Sequence, residues 1–121
     1  MFFKTHVRWV ELFSNRHFTE KYVLNEVQQL TLESKTYLGV NNNGHLKVFD
    51  EFCPHQKASL KNAVIEDEAI VCAWHKYAFC LKSGRDLSTA GNSLNIYKTK
   101  LQEGIWYIGI EVKLPFWMDP A

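Results

Sequence analysis

Proline, glycine and cysteine are all scarce in this chain of 121 residues, which holds three Pro, six Gly and three Cys. Collagen-like and low-complexity architectures are excluded, because both are built on Pro and Gly. Three cysteines are too few, and odd in number, for the disulfide framework of a small exported domain. In a reducing compartment such a set points to metal binding or redox use. Charge of one sign is lacking too: fourteen Lys and Arg against thirteen Asp and Glu leave a net charge of +1. With no basic block of five or more, the footprint expected of a nucleic-acid or anionic-membrane binder is missing. No window approaches about eighteen apolar residues, and the start from Met1 to Trp9 is broken by Lys4 and Arg8 before a signal-like run can form. The expectation is a soluble, cytoplasmic protein with no nucleic-acid or membrane partner. What is present is ordinary globular composition, 46% hydrophobic and 14% aromatic, enough for one domain over residues 1–121 that buries roughly two-thirds of its unfolded surface.

Helical periodicity is rare, whereas short β-rich runs separated by turn residues recur at close intervals, so the fold class expected is all-β and antiparallel. Trp9 to Phe13 reads as a first strand. Leu30–Leu32 and Thr36–Val40 pair across Glu33-Ser34-Lys35, and Asn41-Asn42-Asn43-Gly44 turns the chain into His45–Phe49. Ala63–Ile65 and Ala69–Cys72 flank Glu66-Asp67-Glu68. Trp74–Leu81 runs into Lys82-Ser83-Gly84-Arg85, and Leu94–Leu101 pairs with Ile105–Glu111 across Gln102-Glu103-Gly104. Residues 14–28 are open between loop and helix, since Val23, Val27 and Leu30 suit one helical turn. Residues 114–121 read as a tail.

Chemistry concentrates in two short segments. Cys53-Pro54-His55 is followed by Cys72-Ala73-Trp74-His75, so two separate turn regions each offer one thiol and one imidazole. Four such donors suit tetrahedral zinc or an iron–sulfur cluster. Zinc fingers usually group Cys with Cys and His with His. Here each segment splits its donors, as expected if one member binds one iron and the other binds its neighbour.

The segments Cys53-Pro54-His55-Gln56-Lys57-Ala58-Ser59-Leu60 and Cys72-Ala73-Trp74-His75-Lys76-Tyr77-Ala78-Phe79 resemble the Rieske family of [2Fe-2S] proteins. The resemblance covers about residues 45 to 110. It implies an antiparallel β-sandwich with a small cluster-binding subdomain at about residues 50–82. It also implies that Cys53 and Cys72 bind one iron while His55 and His75 bind the outer, more exposed one. With two thiolates and two neutral imidazoles the cluster is neutral when oxidised and singly negative when reduced. Exchanging two of four thiolates for imidazoles raises the potential from about −400 mV to about −150 to +300 mV. High-potential respiratory members carry an extra Cys in each loop and a Ser after the second His. Those positions hold Ala58, Trp74 and Tyr77 here, which resembles the low-potential ferredoxin branch. Where the family commonly has Gly this chain has Lys57 and Lys76, and a stretch that often carries Pro reads Ala90-Gly91-Asn92-Ser93.

Other residues have plainer readings. Cys80 is expected to be a small buried hydrophobe, and His6, His17 and His45 surface residues that fit no ligand spacing. Trp9, Trp106, Tyr107 and Ile108 are expected to pack the core or the sheet surface. Trp74, between two ligands, shields the cluster or simply packs. Lys57 and Lys76 would flank the tip of the ligand loops, and Phe116-Trp117-Met118 is expected to fold back on the sheet. The chain has no room for the mononuclear iron domain of a Rieske oxygenase. The function implied is a soluble ferredoxin without a catalytic site, carrying one electron at a time from a flavin reductase to an oxygenase or similar acceptor. The alternatives are a small subunit of a larger oxidoreductase of the nitrite reductase type and a zinc-stabilised interaction module.

Overall fold

The computed structural model describes residues 3–54, 58–73, 77–88 and 91–118. Among them, nine strands and one α-helix follow the order β1 (Phe3–Ser14), α1 (Asn15–Lys21), β2 (Gln28–Leu32), β3 (Lys35–Asn42), β4 (His45–Asp50), β5 (Val64–Glu66), β6 (Ala69–Val71), β7 (Ala78–Cys80), β8 (Ile96–Gln102) and β9 (Ile105–Pro115). Six strands form one antiparallel sheet in the order β1-β9-β8-β4-β3-β2, and β5-β6-β7 form a second. This is the all-β architecture expected from the sequence. Among the described residues no helix is long and apolar enough to cross a membrane.

Four hairpins turn through two residues, at Glu33-Ser34, Asn43-Gly44, Asp67-Glu68 and Glu103-Gly104. Both residues of every turn have positive φ, between 49° and 86°, as a type I′ turn requires. Its twist matches that of the flanking strands. The turns are thus tighter than the sequence suggested: Lys35, Asn41, Asn42, Glu66 and Gln102 belong to strands. Asn41 keeps a turn role from inside β3, because its side-chain oxygen accepts the Gly44 amide at 2.8 Å.

The ambiguous stretch after β1 becomes helical earlier than the Val23–Leu30 spacing implied. Ser14 caps α1 by accepting the His17 amide at 3.1 Å. Phe18 is buried, stacked on Phe13 and tilted against Tyr22 and Trp106, whereas Val23 and Leu24 are exposed. The aromatic side chains that fill the curled sheet decide where the helix lies. At the other end β9 runs to Pro115, which pairs with Phe3, so residues 114–115 are strand and the first strand starts well before Trp9. Phe116 and Trp117 are 62% and 72% exposed. They do not fold back on the sheet: the chain turns after β9, with the Met118 amide on Pro115 O at 2.9 Å, and leaves both rings in solvent.

The six-stranded sheet curls until Arg8 of edge strand β1 reaches Glu33 beside edge strand β2, with bonds of 2.8 and 3.2 Å. Inside the curl lie Phe18, Tyr22, Leu30, Tyr37, Leu46, Val48, Trp106 and Ile108. A second core joins Leu38, Val40 and Phe49 to Leu60, Ile70, Phe79, Leu81 and Leu94. Tyr37 to Val40 are therefore all buried: the β3–β4 hairpin is covered on both faces, and its period-two pattern disappears. The chain leaves the large sheet after Asp50 and returns before Ile96, with the Asp50 amide bonded to Asn95 O at 3.2 Å.

Candidate metal centre

The Cys-x-His and Cys-x2-His segments both sit at the ends of hairpins and are closed in the same way. In the first, Phe52 bridges Ser59 and the Leu60 amide bonds to Glu51 O at 2.6 Å; the Cys53 amide then bonds to Ala58 O at 2.8 Å. In the second, Val71 pairs with Ala78 and the Cys72 amide bonds to Tyr77 O at 2.7 Å. Each cysteine is thus tied to the carbonyl five residues on. Pro54 begins the first loop, where its missing N–H and fixed φ suit departure from pairing.

The two thiols lie 1% and 0% exposed in one core cluster, and no cysteine is in a disulfide. His55, Gln56 and Lys57 of the first loop and Trp74, His75 and Lys76 of the second lie outside the described residues, as does Ala90. Among the described residues no group of three or more His, Cys, Asp or Glu gathers to hold a metal; the two buried thiols are the part of the donor set that the structure brings together. Their chemistry fits an iron–sulfur group. A buried thiolate needs a compensating cation, and a metal centre supplies it.

Side chains not singled out from the sequence brace both loops. Ser59 donates to Glu51 Oε2 at 3.2 Å and accepts the Lys61 amide at 3.2 Å, starting the 3-10 turn Leu60–Asn62. Behind the second loop Asp86, itself buried, accepts the Ser88 amide at 2.8 Å, and Ser88 Oγ accepts the Ala78 amide at 2.8 Å. The signal was the Asp-x-Ser spacing of an Asx turn. Gly84 is required where it stands: at φ +79° its carbonyl accepts the Leu94 amide, and an added Cβ would lie 1.9 Å from Leu94 O.

Cys80 departs from its expected burial. It alternates with buried Phe79 and Leu81 and is partly exposed. Hydrogen bonds from Ser83, then the Lys82 amide and charge, hold its thiol below the ordinary range. His17 and His45 are exposed and His6 is half-buried. Trp106 and Ile108 are core residues, while Trp9 is 39% exposed on the outer face.

The profile of the Rieske [2Fe-2S] domain matches residues 8–98, and the chain belongs to that family, whose cofactor is a [2Fe-2S] cluster. Its relatives include the ferredoxin component of the alkene monooxygenase system of Xanthobacter autotrophicus, 30% identical over 73 residues; the match spans 60% of this chain and 60% of that protein. Another is the ferredoxin subunit of the 3-phenylpropionate/cinnamic acid dioxygenase of Escherichia coli, 28% identical over 93 residues, or 74% of this chain and 88% of the subunit. The same fold occurs in a Mycobacterium tuberculosis protein described as an NADH-dependent nitrite reductase small subunit. There the TM-score is 0.72 at 15% identity, over 87% of this chain and 96% of that one. It also occurs in the complex of reduced oxygenase and oxidised ferredoxin of carbazole 1,9a-dioxygenase, with a TM-score of 0.68 at 17% identity over 83% and 91%.

Proposed function

We propose that this protein is a Rieske-type ferredoxin of the cytoplasm. It accepts single electrons from a flavin-containing reductase, passes them to an oxygenase or similar acceptor, and has no catalytic site of its own. The observation that carries this reading is the pair of identically closed loops that bury Cys53 and Cys72 in one core. We read residues 1–121 as one domain with its cluster-binding part at about 50–82. Cys53 and Cys72 hold the inner iron; His55 and His75, two and three residues further along their loops, hold the outer one. The cluster supplies reversible one-electron chemistry at a potential set partly by its imidazole ligands. The chain's own contribution is to exclude water on the thiol side and to fix both loops through backbone amides. Ala58 and Trp74 in place of a bridging cysteine pair, and Tyr77 in place of a hydroxyl donor, support a potential near the low end of the Rieske range.

A second reading, a small subunit held in a larger oxidoreductase of the nitrite reductase type, is favoured by the fold match to that class. Visible and paramagnetic resonance spectra of the dithionite-reduced protein test the cluster, with two irons per chain expected for one [2Fe-2S] centre. Stoichiometric zinc in the anaerobically purified protein would sink both electron-transfer readings. Reduction by a reductase encoded nearby, as an isolated small protein, supports the ferredoxin; constant co-purification with a large subunit overturns it in favour of the second reading.

A further inference from the structure

The outer face of β4, β8, β9 and β1 carries a cluster of lysines, with the Glu111 carboxylate beside Lys98 in an adjoining cleft. Trp9 pairs with Gly109 and Gly109 with Lys98. Continuing the Val48–Tyr97 and Phe49–Ile96 pairing by one rung sets Lys47 opposite Lys98. Lys82, in the turn after β7, converges on the same place, and these lysines line a cleft of about 360 Å³ together with Trp9, His45 and Tyr97. None of the three lysines forms an ion pair among the described residues. A fourth, Lys100, lies 4.3 Å over the Trp9 ring. Like charges opposite one another on paired strands oppose folding, so stability alone does not account for the arrangement. Burial, and then the Lys47 charge, hold the His45 imidazole below its ordinary range.

We propose that this cleft is a docking surface for the carboxylate-rich face of a partner protein. Trp9 supplies an apolar anchor, 39% exposed, whose ring lies close over Gly109; a Cβ at Gly109 would come within 3.2 Å of it. An exposed indole ringed by charge is the anatomy of a binding hot spot with a polar rim. The lysines come from separate elements and spread over an open face, which suits dispersed carboxylates better than one small anion. A net charge of +1 gives little general attraction for nucleic acid. The surface lies on the flank of the molecule. Lys47 is six residues before Cys53 in sequence, at most roughly 20 Å of extended chain, and Lys82 follows the end of β7 that points away from the second ligand loop.

The test is a nuclear magnetic resonance titration of the isotopically labelled, cluster-containing protein with deca-glutamate. The Trp9 indole N–H and the amides of Lys47, Lys82 and Lys98 are expected to shift together, weakening with added salt, while the His45 ring pKa rises. Lys47→Ala/Lys82→Ala/Lys98→Ala is expected to lower affinity by about tenfold or more with the visible spectrum unchanged. Lys98→Gln alone serves if the triple variant is poorly folded; it is expected to weaken binding while keeping or raising the thermal midpoint. Undiminished binding by these variants, shifts centred elsewhere, or tighter binding at the cleft by inorganic phosphate or duplex DNA overturns the proposal.

Discussion

The β3–β4 hairpin of the six-stranded sheet is covered on one face by that sheet's own curled interior and on the other by the three-stranded sheet, yet the strands of the two sheets differ greatly in length. β1 and β9 run for 12 and 11 residues and pair along nearly all of them. Each strand of the small sheet has three. Pairing and an aromatic interior suffice for the large sheet. The small one is too short for independent stability and depends on what covers it: Leu38, Val40 and Phe49 on one side and the two ligand loops at its end. One region is stable through its own strands, the other through its surroundings.

The largest effect that could break this contrast is removal of a thiol. Cys72→Ser is expected to abolish the visible spectrum and to collapse hydrogen-exchange protection at Ile70 and Phe79, while Leu46 and Ile108 stay protected. Equal loss in both sets would mean that the sheets fold as one unit. Cys80→Ser should leave both cluster and protection intact.

Next comes the shared wall. Phe49→Ala and Phe18→Ala each remove a fully buried ring and should each cost about 3–5 kcal/mol in denaturant unfolding. Only Phe49→Ala should also perturb the cluster spectrum, because Phe18 packs in the other core.

Much of this was legible in the sequence, and where it failed the reasons are physical. The four two-residue hairpins could be read, because turn residues are local, and so could the two segments whose cysteines share one core. The helix could not be read from Val23 and Val27, because Phe18 and Tyr22 are drawn in by Trp106, far away in sequence. Turn lengths were overestimated because Glu33-Ser34 and Asp67-Glu68 adopt positive φ without glycine. Cys80 looked buried because alternation along so short a strand depends on what covers each face.

Those glycine-free turns set a smaller prediction. Ser34 sits at φ +67°, a conformation that disfavours L residues by about 1–2 kcal/mol and that glycine adopts freely. After glycine's entropic penalty, Ser34→Gly should raise stability by about 0.5–1 kcal/mol, seen as a higher denaturant midpoint with the cluster spectrum unaltered.

The smallest effect concerns Tyr97, whose phenol donates to Asp50 Oδ1 at 2.5 Å while Lys35 donates to it at 3.3 Å. Burial and then the Asp50 bond push its pKa up to about 12. The folded state therefore keeps this proton after the unfolded chain has lost it. The group's contribution is complete below about pH 10 and is lost as pH rises towards 12. In Tyr97→Phe the fall in stability over that window should be shallower than in the native protein. An identical slope would show that the phenol is not the group responsible.

The hydrogen bond between Asp50 and Asn95 has a consequence for engineering. The whole excursion that carries the ligand loops leaves and rejoins the large sheet at neighbouring points, so in connectivity it is a cassette: its two ends could be spliced by a tight turn and β4 would still run into β8. Energetically it cannot be lifted out so simply. The splice would strip cover from Leu38, Val40 and Phe49 and turn the back of the hairpin into an open greasy wall. A cassette-free scaffold would therefore need polar replacements at those three positions to stay in solution, and any transplanted cassette would need a host hairpin with an apolar triad of the same shape.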